Sequence, residues 1–533
     1  MIGLTGLGTL VRLILRRDRW LLPIWILLPA VLVGATASAL GDLYPTEEAR
    51  RQFATMMSAN PGITAFLGPL YGSSVGALTA WRTAMFGVVL GGLPALFSVI
   101  RHTRTEEEAG RRELIGSAVV GRHAPLTAAL LVLSIQAMLM GGGVAMALVV
   151  VGEATAGAVA TGSAWAGLAL FCAGLGALIA QLVENPRTAR GIGGAAIAAA
   201  YLIRIAGDLG GDDWSWLSWL TPVGWLHAVR PFAGEQWGVL ALLGAGAVIF
   251  GFLGYFLSGR RDLDAGLIAP RLGPPLASRR LRSPLALAGR LHRMSIAGWT
   301  AGIAVYGLIV GGLGPSIVDV FDDNPQLREM FERLGGEGAL IDIFLSAGLG
   351  MLGLLAASAA VQAALRLRSE EQSGHAEALL ATSVDRSRFM ASHAILVAAG
   401  PSFAMIVGGL VTGIAYGATT GDVPSQAGRL LAAAMAQIPA VLVLGGMTLA
   451  LFGLVPRFAM GAWGLLTGFL VLGQLGAILG LPRWVMNLSP FAHVPAAPSV
   501  AVRMTPLLLL TAAAAALTVA GFRGFERRDL TGV

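Results

Sequence analysis

Two stretches of the chain carry the same acidic pattern. Arg104-Thr105-Glu106-Glu107-Glu108-Ala109-Gly110-Arg111-Arg112-Glu113 and Arg368-Ser369-Glu370-Glu371-Gln372-Ser373-Gly374-His375-Ala376-Glu377 both fit R-[ST]-E-E-x-x-G-x-x-E, at an offset of 264. Carboxylates at this density make either a solvated turn with Glu-Arg pairs such as Glu107 to Arg111 or a surface that docks a partner. Elsewhere the sequence offers no metal triad, nucleophile elbow or usefully spaced carboxylate pair, so it does not support catalysis. On a helix, Glu106, Gly110 and Glu113 stand at i, i+4 and i+7, which predicts one acidic face, and Glu370, Gly374 and Glu377 repeat it. A glycine in that face predicts close approach of another backbone. Because carboxylates are costly to leave in lipid, these side chains are expected to face water or a partner.

The elements that must carry these loops follow from composition. Of 533 residues, 55% are hydrophobic and 13% charged, with mean hydropathy +0.73, whereas a soluble domain carries roughly 25% charged residues. Apolar runs predict spans at 20–40, 80–100, 124–150, 160–183, 191–207 and 239–257, then at 295–314, 339–365, 390–418, 428–454, 460–480 and 503–522. The first run, after Arg16, Arg17 and Arg19, exceeds a signal-peptide core and is read as a span. The expected fold is an all-α polytopic membrane protein with about twelve transmembrane helices in two parallel six-helix repeats. Residues 1–257 and 294–533 are the halves, and 258–293 are an Arg/Pro-rich cytoplasmic linker and connecting helix.

All 37 residues of the Lys+Arg class are arginine. Without lysine there is no Walker A lysine, Schiff base or Ser-Lys dyad, so the chain is not itself a P-loop ATPase. If the N-terminus is cytoplasmic, 27 of the 37 arginines fall in cytoplasmic segments, which predicts both termini inside by the positive-inside rule. The net charge of +7 is then topology, and nucleic acid is not an expected partner. The linker arginines are expected to meet anionic lipid headgroups. Cys172 stands alone, which excludes an intrachain disulfide.

Further correspondences join the halves. Arg122 meets Arg386, Pro186-Arg187 meets Pro456-Arg457, Thr221-Pro222 meets Ser489-Pro490, and the lead-in Leu4 to Trp20 meets Leu285 to Trp299. Residues 45–57 and 324–334 read as short amphipathic outer helices. Trp214, Trp216, Trp219, Trp225 and Trp237 suit an interfacial belt or a shallow re-entrant hairpin. The few ionisable groups near spans, Arg82, Arg204, Asp208, Asp342 and Arg429, are expected to snorkel to water, with Arg204 and Asp208 pairing at i, i+4.

On the loops Arg104 to Arg122 and Arg368 to Arg386, and on the six-plus-six layout, the chain resembles the permease subunits of ABC-2 type exporters, in particular the fused, double-length actinobacterial form often labelled exporters of polyketide antibiotics. The resemblance implies a bacterial plasma-membrane permease moving drugs, antibiotics or lipids outward by alternating access, with no cofactor of its own. ATP and Mg would sit on a separate ABC nucleotide-binding ATPase subunit, two copies per permease. In such permeases the loop between spans two and three is the coupling helix. Carried over by position, Glu106, Glu107, Gly110 and Glu113 would dock one ATPase, and Glu370, Glu371, Gly374 and Glu377 the other. Leu4 to Trp20 and Leu285 to Trp299 would be interfacial connecting helices. The rival is a proton-coupled secondary multidrug transporter with twelve helices. It would need a titrating group deep in the bundle, and none stands convincingly mid-span.

Overall fold

The computed structural model describes residues 2–59, 61–116, 119–211, 213–262, 265–268, 276, 278, 281–322, 337–475 and 482–529. Among them every regular element is helical. Eleven helices are long and apolar enough to cross a membrane. The chain divides into two compact units, Met1–Gly273 and Pro274–Val533.

In the first unit the spans are Leu21–Leu43, Val75–Glu108, Ala124–Val150, Thr155–Leu182, Pro186–Leu209 and Trp237–Ser258. The fourth is the most buried and forms the centre of the unit, with Trp165, Leu168, Cys172 and Ala177 packed among residues of the second, third and sixth spans. Bilayer tails are as apolar as these side chains, so close backbone packing between small residues must supply the cohesion. Gly141 and Gly162 meet in this way, and a methyl on either would run into the other's carbonyl oxygen. The second span contains a π-helical stretch, Gly87–Gly92, seated against Trp165, Met140 and Cys172.

In the second unit the spans are Pro284–Gly314, Ile341–Gln372, Arg386–Thr420, Val423–Leu454 and Met504–Arg527. The span expected at 460–480 is a shorter helix, Gly461–Leu475, and residues 476–481 lie outside the described residues. The fourth is broken at Ala436 and Gln437, between Val423–Met435 and Ile438–Leu454. Of the two outer helices, the first is Glu47–Ala59, with no buried residue. The second, at 324–334, lies outside the described residues, as do Pro270, Pro274 and Pro275 of the linker.

The lead-ins differ between units. Leu7–Arg17 is a separate amphipathic helix whose Leu10 and Ile14 pack on Ala124, Ala128 and Val132 of the third span. Its counterpart does not stand apart, because Pro284–Asp322 runs unbroken into the first span. In the first unit the break falls at Asp18, whose buried carboxylate leaves the helix to bind Arg101 and His102 of the second span.

The snorkelling expectation fails for Arg204, which is 0% exposed. Its guanidinium donates to Asp208 at 2.9 Å and to the Ala65 carbonyl at 2.6 Å, and it lies 4.7 Å from the Tyr201 ring centroid. The i, i+4 pair is therefore present, but turned inward to tie down the segment at 64–66. Asp342 and Arg429, 87 residues apart, meet at 2.9 Å and join the starts of the second and fourth spans. Trp214, Trp216, Trp219 and Trp237 are exposed around two short helices, Trp216–Trp219 and Pro222–Ala228.

Candidate coupling site

Each acidic motif begins on the last turns of a second span and ends on a short separate helix. In the first unit Arg104–Glu108 is followed by a turn and then Arg111–Gly116; in the second, Ile341–Gln372 is followed by a turn and then His375–Leu380. Gly110 and Gly374 make those turns, with φ of 66° and 73°. The single helical face expected through Glu106, Gly110 and Glu113, and through Glu370, Gly374 and Glu377, is thus interrupted. The glycines also do not admit a neighbouring backbone, since a Cβ on either would meet nothing within 4 Å. Their role is the left-handed conformation, which costs a residue with a Cβ about 1–2 kcal/mol.

The carboxylates split by direction. Glu113 and Glu377 are exposed, as are Glu108 and Gln372, and the two glycines are partly so. Glu106 is partly covered by Arg17 and by Arg111, whose Nε donates at 2.7 Å. Glu370, its counterpart, is buried and accepts from Arg366 Nε at 2.7 Å, with His375 Nδ1 at 3.2 Å. Glu107 and Glu371 are also buried. The expectation that these acids face water or a partner therefore fails for Glu107, Glu370 and Glu371, which are neutralised from within the chain.

The way Glu107 and Glu371 are held is the same in both units. Arg261, just past the sixth span, donates from Nη2 to both oxygens of Glu107 at 2.7 and 2.8 Å. Arg528, just past Met504–Arg527, grips Glu371 with a fork, Nη1 to Oε1 and Nη2 to Oε2, both at 2.6 Å. Such paired, charge-assisted bonds fix direction as well as distance. The carbonyls of these two arginines are in turn held from the start of the third span: Arg122, two residues before it, donates to Arg261 O at 2.7 Å, and Arg386, its first residue, to Arg528 O at 2.6 Å. Second-span glutamate, sixth-span arginine and third-span arginine thus form one clasp, built twice.

The surroundings of the clasp differ between units. Glu107 also binds Arg104 and Arg112, while Arg104 Nε donates to Glu184 O and Arg261 Nε to Gln181 Oε1, each at 2.6 Å. Ala376 stands where Arg112 does, and Arg528 instead lies 4.9 and 5.1 Å from the ring centroids of Phe452 and Phe525. The motif reading missed Arg261 and Arg528. Their signal is the paired Arg260-Arg261 and Arg527-Arg528 at the end of the last span of each half, at offset 267. Among the described residues no group of three His, Cys, Asp or Glu could hold a metal.

Among the described residues, helices long enough to cross a membrane carry a polar clasp repeated at their ends, which defines a polytopic membrane protein. Residues 281–526 match the family model described as "Multidrug efflux system permease Rv1217c, C-terminal domain". The multidrug efflux system permease protein Rv1217c of Mycobacterium tuberculosis is 42% identical over 530 residues, covering 99% of this chain and 96% of that relative. The chain belongs to this family of multidrug efflux permeases of the ABC-2 type and acts as an exporter's permease subunit. The match does not favour the proton-coupled carrier.

Proposed function

We propose that the chain is the transmembrane half of an ATP-driven exporter of small amphipathic compounds, lying in the bacterial plasma membrane with both termini in the cytoplasm. Two copies of a separate ABC ATPase subunit, which carry the ATP and Mg, dock on the loops at Gly110–Glu113 and Gly374–Glu377. The observation that carries this reading is the doubled clasp. A loop that only needed solvation would leave its acids in water, whereas here one glutamate of each loop is tied to the sixth span and, through Arg122 or Arg386, to the third. A push on the loop therefore reaches three spans at once. Glu113 and Glu377 supply the outward contact; Glu107, Glu370 and Glu371 keep the loop attached to what it must move. The lysine-free sequence supports a division of labour in which hydrolysis belongs to the partner.

The test is co-purification. Reversing both outward charges, Glu113→Arg with Glu377→Arg, is expected to abolish recovery of the ATPase subunit while the permease still inserts in the membrane. Undiminished recovery would remove these residues from the docking surface. Native mass spectrometry is expected to find one permease with two ATPases.

A further inference from the structure

The first unit holds a groove that the coupling loops do not use. Its walls are Trp25 of the first span, Leu93, Phe97, Ser98 and Arg101 of the second, and Arg190 of the fifth, and they enclose about 520 Å³. Leu93, Phe97 and Arg101 stand at i, i+4 and i+8 and so share one face, beginning directly after the π-helical stretch. The groove has two chemically distinct ends. Toward mid-span it is apolar and aromatic; at the end that carries the acidic loop it closes on two guanidiniums.

The charges around that end are these. Arg101 binds Asp18, which His102 Nε2 also contacts at 2.7 Å, and the Nε of Arg101 has no acceptor. Arg190 Nη2 donates to Thr105 Oγ1 at 2.8 Å and feels Arg101, Arg187 and Glu108 nearby. Arg101, Arg187 and Arg190 thus lie near one another, while Asp18 is shared between Arg101 and His102 and Glu108 is exposed.

The repeat shows that this feature is not part of the common frame. At the offset of the acidic motif, 264, Arg101 corresponds to Leu365; at the offset of the fifth span, 270, Arg190 corresponds to Met460. The second unit's second span, moreover, is α-helical throughout its described length, without a π stretch. The clasp is present in both halves, whereas the arginine pair and the π-helical stretch beside it are found, among the described residues, in the first alone.

We infer that this groove is a binding site for one anionic phospholipid, its acidic headgroup held by Arg101 and Arg190 and an acyl chain laid along Trp25, Leu93 and Phe97. The guanidiniums lie within two turns of the ends of the second and fifth spans, at headgroup depth, and the apolar wall runs inward from them over hydrocarbon depth. That order of polarity matches a lipid rather than a compact soluble anion. Arginine suits the role because its planar fork matches a phosphate. The inference goes beyond the transport reading and needs neither ATP nor a partner.

The experiment is native mass spectrometry of the purified full chain in micelles, titrated with phosphatidylglycerol or phosphatidylcholine. The wild type is expected to retain phosphatidylglycerol roughly thirtyfold better, which is about 1 kcal/mol for each of the two arginines near the headgroup. Arg101→Leu with Arg190→Met, the residues of the second half, is expected to erase that preference. Arg101→Lys with Arg190→Lys keeps the charge and is expected to keep most of it. Arg190→Met alone leaves the Asp18 contact intact and serves if the double variant fails to fold; it should lose a large part. Equal retention of the two lipids by the wild type, or a preference untouched by Arg190→Met, would overturn the site. Retention of oleate with exclusion of phosphatidylglycerol would overturn the lipid assignment in favour of a single-chain acidic cargo.

Discussion

Removing Arg528 tests whether the clasp is a mechanical part or a local ion pair. Glu371 lies at 4% exposure, and Arg528 supplies its two-pronged partner at 2.6 Å. Arg528→Leu removes that two-pronged partner from a buried carboxylate, and losing charge-assisted bonds of this kind costs about 1.5–3 kcal/mol. Arg261→Leu is expected to cost only about 1–2 kcal/mol, because Arg104 and Arg112 still bind Glu107. Glu371→Leu with Arg528→Leu removes both charges and is expected to lie within about 1–2 kcal/mol of wild type, since an apolar pair replaces a buried ion pair nearly neutrally. The assay is equilibrium unfolding in mixed micelles across the four species of the cycle, which gives a coupling energy directly. Beside it, drug efflux from vesicles containing the permease and its ATPase separates stability from transmission. The double variant should fold and bind ATPase yet export poorly, because the loop is no longer tied to the sixth span. Additive single-variant effects, or a double variant that exports at the wild-type rate, would refute the reasoning.

Other outcomes follow from the same geometry. Gly374→Val is expected to destabilise the second loop by about 1–2 kcal/mol through backbone strain alone, while Gly374→Asn is nearly silent; thermal unfolding of the two variants distinguishes strain from lost contact. Gly162→Leu should prevent close packing of the third and fourth spans and appear as loss of folded protein in size-exclusion profiles, because a side chain there meets the Gly141 backbone. Arg204→Met should expose the segment at 64–66 to limited proteolysis, since it removes the donor to Ala65 O and leaves Asp208 with Ser218 but no cation. The purified chain alone is expected to hydrolyse no ATP in a phosphate-release assay, and measurable turnover would contradict the assignment of hydrolysis to a partner.

The spans and the paired loops could be read from the sequence because their signals are local: runs of apolar residues, and a ten-residue pattern written twice. The direction of the glutamates could not. Whether Glu107 points to water or inward depends on Arg261, which lies 154 residues away and reaches it only after the sixth span has returned to the same end of the bundle. The glycines show the same limit, for spacing alone places Gly110 on a helical face, and only its φ shows that the face stops there. Arg204 was paired correctly with Asp208 from i, i+4 spacing, yet its burial depends on carbonyls 138–140 residues distant. The correspondence of Leu4 to Trp20 with Leu285 to Trp299 implies a connecting helix in both halves, yet in the second Pro284–Asp322 runs on without a break like that at Asp18.

The meeting of Gly141 with Gly162 determines what kinds of motion the first bundle can make. Two backbones in direct contact cannot approach further, and parting them forfeits the attraction that holds them. What stays open is a seesaw about the point of touch. Rocking at this contact would move the two ends of the third span in opposite directions relative to the fourth.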